Sequence, residues 1–119
     1  MERNETTGRA PEPGTAAEAG PRRILVADDN RDSAESLGML LQFLGNEVHI
    51  VTDGAEAIRA VNDFKPDTMV LDIGMPGVTG YEVARAVRER PDLAGLLLIA
   101  MTGWGQEEDW RRTRVAGFD

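Results

Sequence analysis

The chain of 119 residues reads as an α/β domain, a doubly wound parallel sheet with helices on both faces. Two observations predict this. Short apolar runs alternate four times with segments whose apolar residues recur at helical spacing, as successive βαβ units do. The runs are also apolar at nearly every position, as strands covered on both faces are. Crossovers in such a sheet are right-handed, and its ligands sit beyond the carboxyl ends of the strands, where strand order reverses.

Residues 1–21 are rich in Glu, Thr, Gly, Ala and Pro without apolar periodicity. Too little surface could be buried there to offset the ordering entropy, so a disordered tail or linker is expected. The domain proper spans residues 22–119. Ile24-Leu25-Val26-Ala27 predicts the first strand, ended by Asp28-Asp29-Asn30. Asn30 or Asp32 can cap the following helix, in which Ala34, Leu37, Leu40, Leu41 and Leu44 share helical spacing and Gly45 is the stop. Val48-His49-Ile50-Val51 predicts the second strand, broken by Asp53-Gly54. Ala55, Ala57, Ile58 and Val61 mark a second helix, which must end near Phe64 because Pro66 follows.

Met69-Val70-Leu71 is the third predicted strand, terminated by Asp72. The loop Gly74-Met75-Pro76-Gly77 leads through Thr79-Gly80 into a third helix with Val83, Ala84 and Val87 inward. Residues 96–101 form the fourth strand, ending at Thr102-Gly103, and residues 106–116 a fourth helix stopped by Gly117.

Composition narrows the function. The formal charge is −8, from 21 acidic against 13 basic residues, a balance that argues against a nucleic-acid surface. No apolar run has the length of a membrane span. Cysteine is absent, which excludes disulfides and thiolate metal sites. The first residues lack a signal pattern, so the expected location is the cytoplasm.

The polar residues at strand ends carry the chemistry. Asp28 and Asp29 follow the first strand, Asp72 the third and Thr102 the fourth. Three carboxylates converging there repel one another unless a cation lies between them. A hard dication with oxygen ligands answers this, and Mg²⁺ suits a few carboxylates with water and phosphate oxygens. The plainer alternative is that each Asp only caps the next helix. Elsewhere, Pro76 and Gly77 shape the loop after Asp72, and His49 is a structural strand residue. Met39, Met69, Met75 and Met101 read as gap fillers, while Trp104 and Trp110 pack on the fourth helix or face a partner.

Ile24-Leu25-Val26-Ala27-Asp28-Asp29-Asn30, Val70-Leu71-Asp72-Ile73-Gly74-Met75-Pro76-Gly77, Val78-Thr79-Gly80-Tyr81-Glu82 and Ile99-Ala100-Met101-Thr102-Gly103 resemble, in that order, the receiver domains of two-component response regulators. The likeness runs from Arg23 to the chain end. It implies a flavodoxin-like fold with strand order 2-1-3-4, the family's fifth strand and fifth helix lying outside this sequence. It also implies that Asp72 is the phosphoacceptor, a carboxylate nucleophile forming an acyl phosphate. By the same likeness Asp29 is a direct Mg²⁺ ligand and Asp28 its partner acid. Gly74 completes the metal shell through its backbone carbonyl, and Thr102 offers its hydroxyl to the phosphoryl group. The implied role is signalling rather than enzymatic: a sensor histidine kinase or histidine phosphotransfer protein donates the phosphoryl group, and a shifted conformational population is the output.

The likeness stops at Gly117-Phe118-Asp119, where the fifth strand begins in the family. That strand ends in a Lys-Pro pair, whereas the one lysine here, Lys65, precedes Pro66 and the third strand. Two expectations follow. Strand four has an open edge, covered by further sequence or by a homodimer, and helix one lacks a neighbour on its sheet face. The alternative function is a receiver-like interaction module that is not phosphorylated. A Mg²⁺-dependent phosphatase is disfavoured, because Gly74 stands where such an enzyme places its second acid.

Overall fold

Each strand is a five-residue run that buries its side chains on alternating faces. β1 spans Arg23–Ala27, β2 Glu47–Val51, β3 Thr68–Asp72 and β4 Leu97–Met101. Between them lie α1 (Arg31–Phe43), α2 (Gly54–Phe64) and α3 (Gly80–Arg88), with α4 (Glu107–Ala116) after β4. A 3-10 turn at Pro91–Leu93, not foreseen from periodicity, joins α3 to β4. The computed structural model describes residues 21–101 and 107–119, without the side chains of residues 107–110 and 113. The tail reading for residues 1–20, Thr102, Trp104, Gln106 and the side chain of Trp110 lie outside the described residues.

All strand pairs are parallel, and the order is β2-β1-β3-β4, as the sequence predicts. The register sets Ala27 beside Val51 and Leu71, and Asp72 beside Met101. The carboxyl ends of β1, β3 and β4 therefore align. Order reverses between the β2 and β3 sides of β1, which puts the switch point at Asp28-Asp29.

Two apolar layers flank the sheet. On one face Leu25, Ala27, Met69, Leu71 and Leu98 pack against Ala57, Ala60 and Val61 of α2, Val83, Ala84 and Val87 of α3, and Ala116 of α4. Leu25, Met69, Leu71 and Leu98 have no exposed surface, and burying such a side chain is worth about 2 kcal/mol. On the other face Ile24, Val26 and Val70 meet Ala34, Leu37 and Leu41 of α1. Among the described residues α1 is the only helix on this face. Ile99 consequently stays 41% exposed.

Two expectations are corrected here. Leu40 and Leu44 share helical spacing with Leu37 and Leu41, yet they are 54% and 66% exposed, because α1 meets the sheet through Ala34, Leu37, Gly38 and Leu41. Met39 fills no gap, being 69% exposed on the side of α1 away from the sheet. Met69 and Met75 are buried as expected.

Local chemistry sets the helix ends. Asn30 caps α1, its side-chain oxygen accepting from Ser33 N at 3.0 Å, and Asp53 caps α2 by accepting from Glu56 N at 2.7 Å. Lys65 closes α2 in the left-handed region at φ 55°, and the Arg23 guanidinium donates to the Phe64 carbonyl there. His49 stacks on Phe64 at 5.4 Å between centroids, the structural role read for it. A capping box starts α3: Thr79 Oγ1 accepts from Glu82 N at 3.3 Å, and Glu82 Oε1 accepts from Thr79 N at 2.9 Å. Thr79→Ala is expected to lower the unfolding free energy by about 1 kcal/mol, read as a shift of the urea midpoint, with Thr79→Ser close to wild type.

The last residues lie along β4. Asp119 N donates to Leu98 O at 2.8 Å, and Asp119 Oδ2 accepts from Leu98 N at 2.8 Å. Arg88 holds this segment by donating to Gly117 O, Leu96 O and Asp119 Oδ2 at 2.7–2.8 Å. The edge expected to be open is thus already paired at Leu98.

Candidate functional site

Strand ends of a parallel sheet bring together side chains that are far apart in sequence. Asp28 leaves β1 where Val51 ends β2, its N–H donating to Val51 O at 3.2 Å. Its carboxylate is buried and accepts from Asn30 N at 2.9 Å, which turns the chain into α1. Asp29 is exposed beside it. Asp72 ends β3, half-buried, and its Oδ1 accepts from Gly74 N at 3.1 Å.

Asp28, Asp29 and Asp72 each offer a carboxylate oxygen, and the three oxygens lie within 4.8 Å of one another. At that spacing each charged pair repels by a few kcal/mol at the effective dielectric of a protein site. The Asp72 carboxyl is pushed up to about 6. Burial is the largest cause, and the neighbouring Asp29 and Asp28 raise it further, against the lowering effect of the Gly74 N–H. Asp72 thus sits where negative charge is disfavoured until a cation arrives. An oxygen-only set of three carboxylates at this spacing fits a hard dication, and capping alone does not account for it: of the three, only Asp28 bonds a backbone N–H next to a helix start.

The loop after Asp72 is held by the methionine read as a gap filler and by two close glycine approaches that sequence reasoning did not find. Met75, in the middle of the Gly/Pro loop, is 1% exposed and joins the core of α2 and α3. Pro76 and Gly77, at φ +77°, turn the chain back at the surface. Gly80 starts α3 against the backbone of Asp72: a Cβ there would lie 2.6 Å from Asp72 O. Gly54 starts α2 against Val78, with 2.2 Å to the Val78 carbonyl. The available signal was a glycine at the first residue of each helix, a place where a tight approach rather than propensity selects it.

The structure therefore gathers Asp28, Asp29, Asp72 and the Gly74 loop, while Thr102 lies outside the described residues. Met101, which precedes Thr102 in sequence, is the cross-strand partner of Asp72. No helix among the described residues is long and apolar enough to cross a membrane.

Three comparisons bear on this geometry. The family model described as "Response regulator receiver domain" matches residues 24–119. The response regulator MprA of Mycobacterium sp. (strain KMS) is 39% identical over 99 residues, covering 83% of this chain and 40% of the relative. The chain thus spans about 40% of the length of that relative. Among solved structures, the chemotaxis response regulator CheY4 of Vibrio cholerae superposes with a TM-score of 0.78 at 26% identity, covering 82% of each chain. The receiver domain of the sensor histidine kinase PA1611 from Pseudomonas aeruginosa PAO1, solved with a magnesium ion coordinated in its active-site cleft, gives a TM-score of 0.75 at 26% identity. It covers 83% of this chain and 81% of its own.

Proposed function

The chain belongs to the response regulator receiver family, and from that premise we propose that Asp72 accepts a phosphoryl group from a phosphohistidine with the help of Mg²⁺. Receivers of this family are signalling modules that interact with sensor histidine kinases. The observation that carries the proposal is the convergence of three carboxylate oxygens at the carboxyl ends of β1 and β3.

The assignments carry the family's roles over to the matching positions. Asp72 is the nucleophile: a carboxylate oxygen forms the new O–P bond while the N–P bond to the donor imidazole breaks and that nitrogen takes up a proton. Asp29, exposed at the pocket mouth, is a direct metal ligand, and the buried Asp28 is its partner acid. Gly74 supplies its backbone carbonyl to the metal shell, and its N–H orients Asp72. Thr102 follows the cross-strand partner of Asp72 and is assigned the hydroxyl that bonds a phosphoryl oxygen. When bound, Mg²⁺ supplies the positive charge that offsets the three carboxylates and the transferring phosphoryl oxygens. The magnesium-bearing PA1611 receiver supports this choice of ion.

A second reading is a receiver-like interaction module without phosphoryl transfer. Within this sequence the lysine, Lys65, stands at the end of α2 and before β3, at the opposite end of the sheet from Asp72. One experiment separates the two. Incubation with Mg²⁺ and a small phosphodonor is expected to add one phosphoryl mass to the wild type and none to Asp72→Asn. Folded wild-type protein that stays unlabelled would establish the second reading instead. We place the protein in the cytoplasm on the same reasoning, because the phosphodonor domains of such kinases act there.

A further inference from the structure

The turn between β2 and α2 supplies none of the three pocket carboxylates, yet it meets the backbone on both sides of the pocket. Val51, which ends β2, accepts from Asp28 N at 3.2 Å. Gly54, three residues on, opens α2 against Val78: a Cβ there would lie 2.2 Å from the Val78 carbonyl oxygen and 2.9 Å from its carbon. Val78 leads within two residues to Gly80, which starts α3 against the backbone of Asp72 and donates its N–H to Ile73 O at 3.2 Å. Residues 51–54 thus reach from Asp28 on one side to the support of Asp72 on the other.

We propose that this junction sets the separation of Asp28 and Asp72, with Gly54 as a positioning residue that acts through Val78 and Gly80. Its functional consequence rests on the reading of Asp72 as phosphoacceptor. The nature of the contacts carries the choice. A close approach that ends on a side chain is relieved when the side chain turns aside. Gly38 is such a case, since a Cβ there would lie 2.8 Å from Ile50 Cδ1, the tip of a flexible chain. At Gly54 and Gly80 the two nearest atoms are backbone, so a displacement is passed on rather than absorbed. Neither helix start unwinds cheaply to take it up. Asp53 accepts from Glu56 N at 2.7 Å and Glu56 Oε1 from Thr52 N at 3.2 Å, while the Thr79–Glu82 capping box holds α3. A metal-binding constellation works only when held to within about 0.5 Å of its geometry, so a small shift at Gly54 reaches the chemistry.

The test compares Gly54→Ala with wild type by two measurements. Amide hydrogen exchange at Gly80, taken relative to the core amide of Val70 to remove global opening, is expected to quicken at least about tenfold. Calorimetric titration with Mg²⁺ is expected to give a dissociation constant raised at least about tenfold. Val61→Ala opens the core of the same helix about two turns further on. It is expected to lower the urea midpoint and to leave both readings within about twofold of wild type. If Gly54→Ala does not fold, Val78→Ala decides: it loosens the same contact without adding an atom, and both readings are expected to move the same way by at least about threefold. Unchanged readings in the folded variant, or an equal change in Val61→Ala, would overturn the proposal. Wild type that binds no Mg²⁺, with Gly80 exchange still quickened in Gly54→Ala, would refute the phosphoacceptor reading and uphold the positional coupling. Wild type that binds Mg²⁺ and is labelled, with Gly54→Ala indistinguishable from it, would do the reverse.

Discussion

In metal-free buffer the wild-type protein is expected to lose stability as pH rises through the window from about 4 to about 6, whereas Asp72→Asn is expected to show no such loss. The sign follows from the direction of the shift. The Asp72 carboxyl is raised in the folded state to about 6 from an ordinary 3.8, so the folded state holds a proton that the unfolded chain has released. Folding is therefore favoured below that window and penalised above it. A shift of this size corresponds to at most about 3 kcal/mol, and because solvent reaches the carboxylate the expected penalty is on the order of 1 kcal/mol.

Mg²⁺ should remove the penalty, since the cation and the proton compete for the same oxygens. Urea unfolding with chelator and with Mg²⁺, at about pH 4.5 and about pH 7.5, measures all of this. Mg²⁺ is expected to stabilise the wild type strongly at the higher pH and weakly at the lower. Asp29→Asn should abolish most of the Mg²⁺ effect and slow labelling of Asp72 by about a hundredfold or more, because a direct ligand and its charge are lost together. Unchanged Mg²⁺ stabilisation in Asp29→Asn would show that the cation binds elsewhere.

Gly80→Val is expected to destabilise the fold by about 3 kcal/mol and to disable the site as well. A Cβ at this position would lie 2.6 Å from the Asp72 carbonyl oxygen and 2.8 Å from Ile73 Cα. Both are backbone atoms, one of them in the residue that carries the candidate nucleophile, so relief requires α3 to move away from β3. The Gly80 N–H that donates to Ile73 O at 3.2 Å would be pulled out with it. Urea unfolding and Asp72 labelling read the two consequences separately. Gly95→Ala is the matched control: a Cβ there meets nothing within 4 Å, and a change within about 0.5 kcal/mol is expected. A Gly80→Val protein as stable as that control would show that the α3–β3 approach is not tightly packed.

These predictions draw on two kinds of information. That Asp28, Asp29 and Asp72 stand at strand ends was legible from the apolar runs that precede them, and the alternation of four such runs with helical periodicity implied that the ends align. The cost of placing three acids there was legible only in outline. How far Asp72 shifts depends on how deeply β3 and its loop bury it, and that depth is decided by Met75 and Gly80. Met75, read as a gap filler inside the Gly/Pro loop, is fully part of the core, but which neighbours it fills against was not legible.

Hydrophobic spacing likewise identified α1 but overstated its buried face, with Leu40 and Leu44 in solvent. The sequence by itself determined the order of elements, the parallel sheet and the identity of the acidic residues, because periodicity, capping and strand termination are local properties of the chain. Tertiary structure alone decided which helix faces are covered, how the loop after Asp72 is anchored and how strongly that carboxyl is perturbed. Those depend on distances across the sheet, which no local pattern encodes.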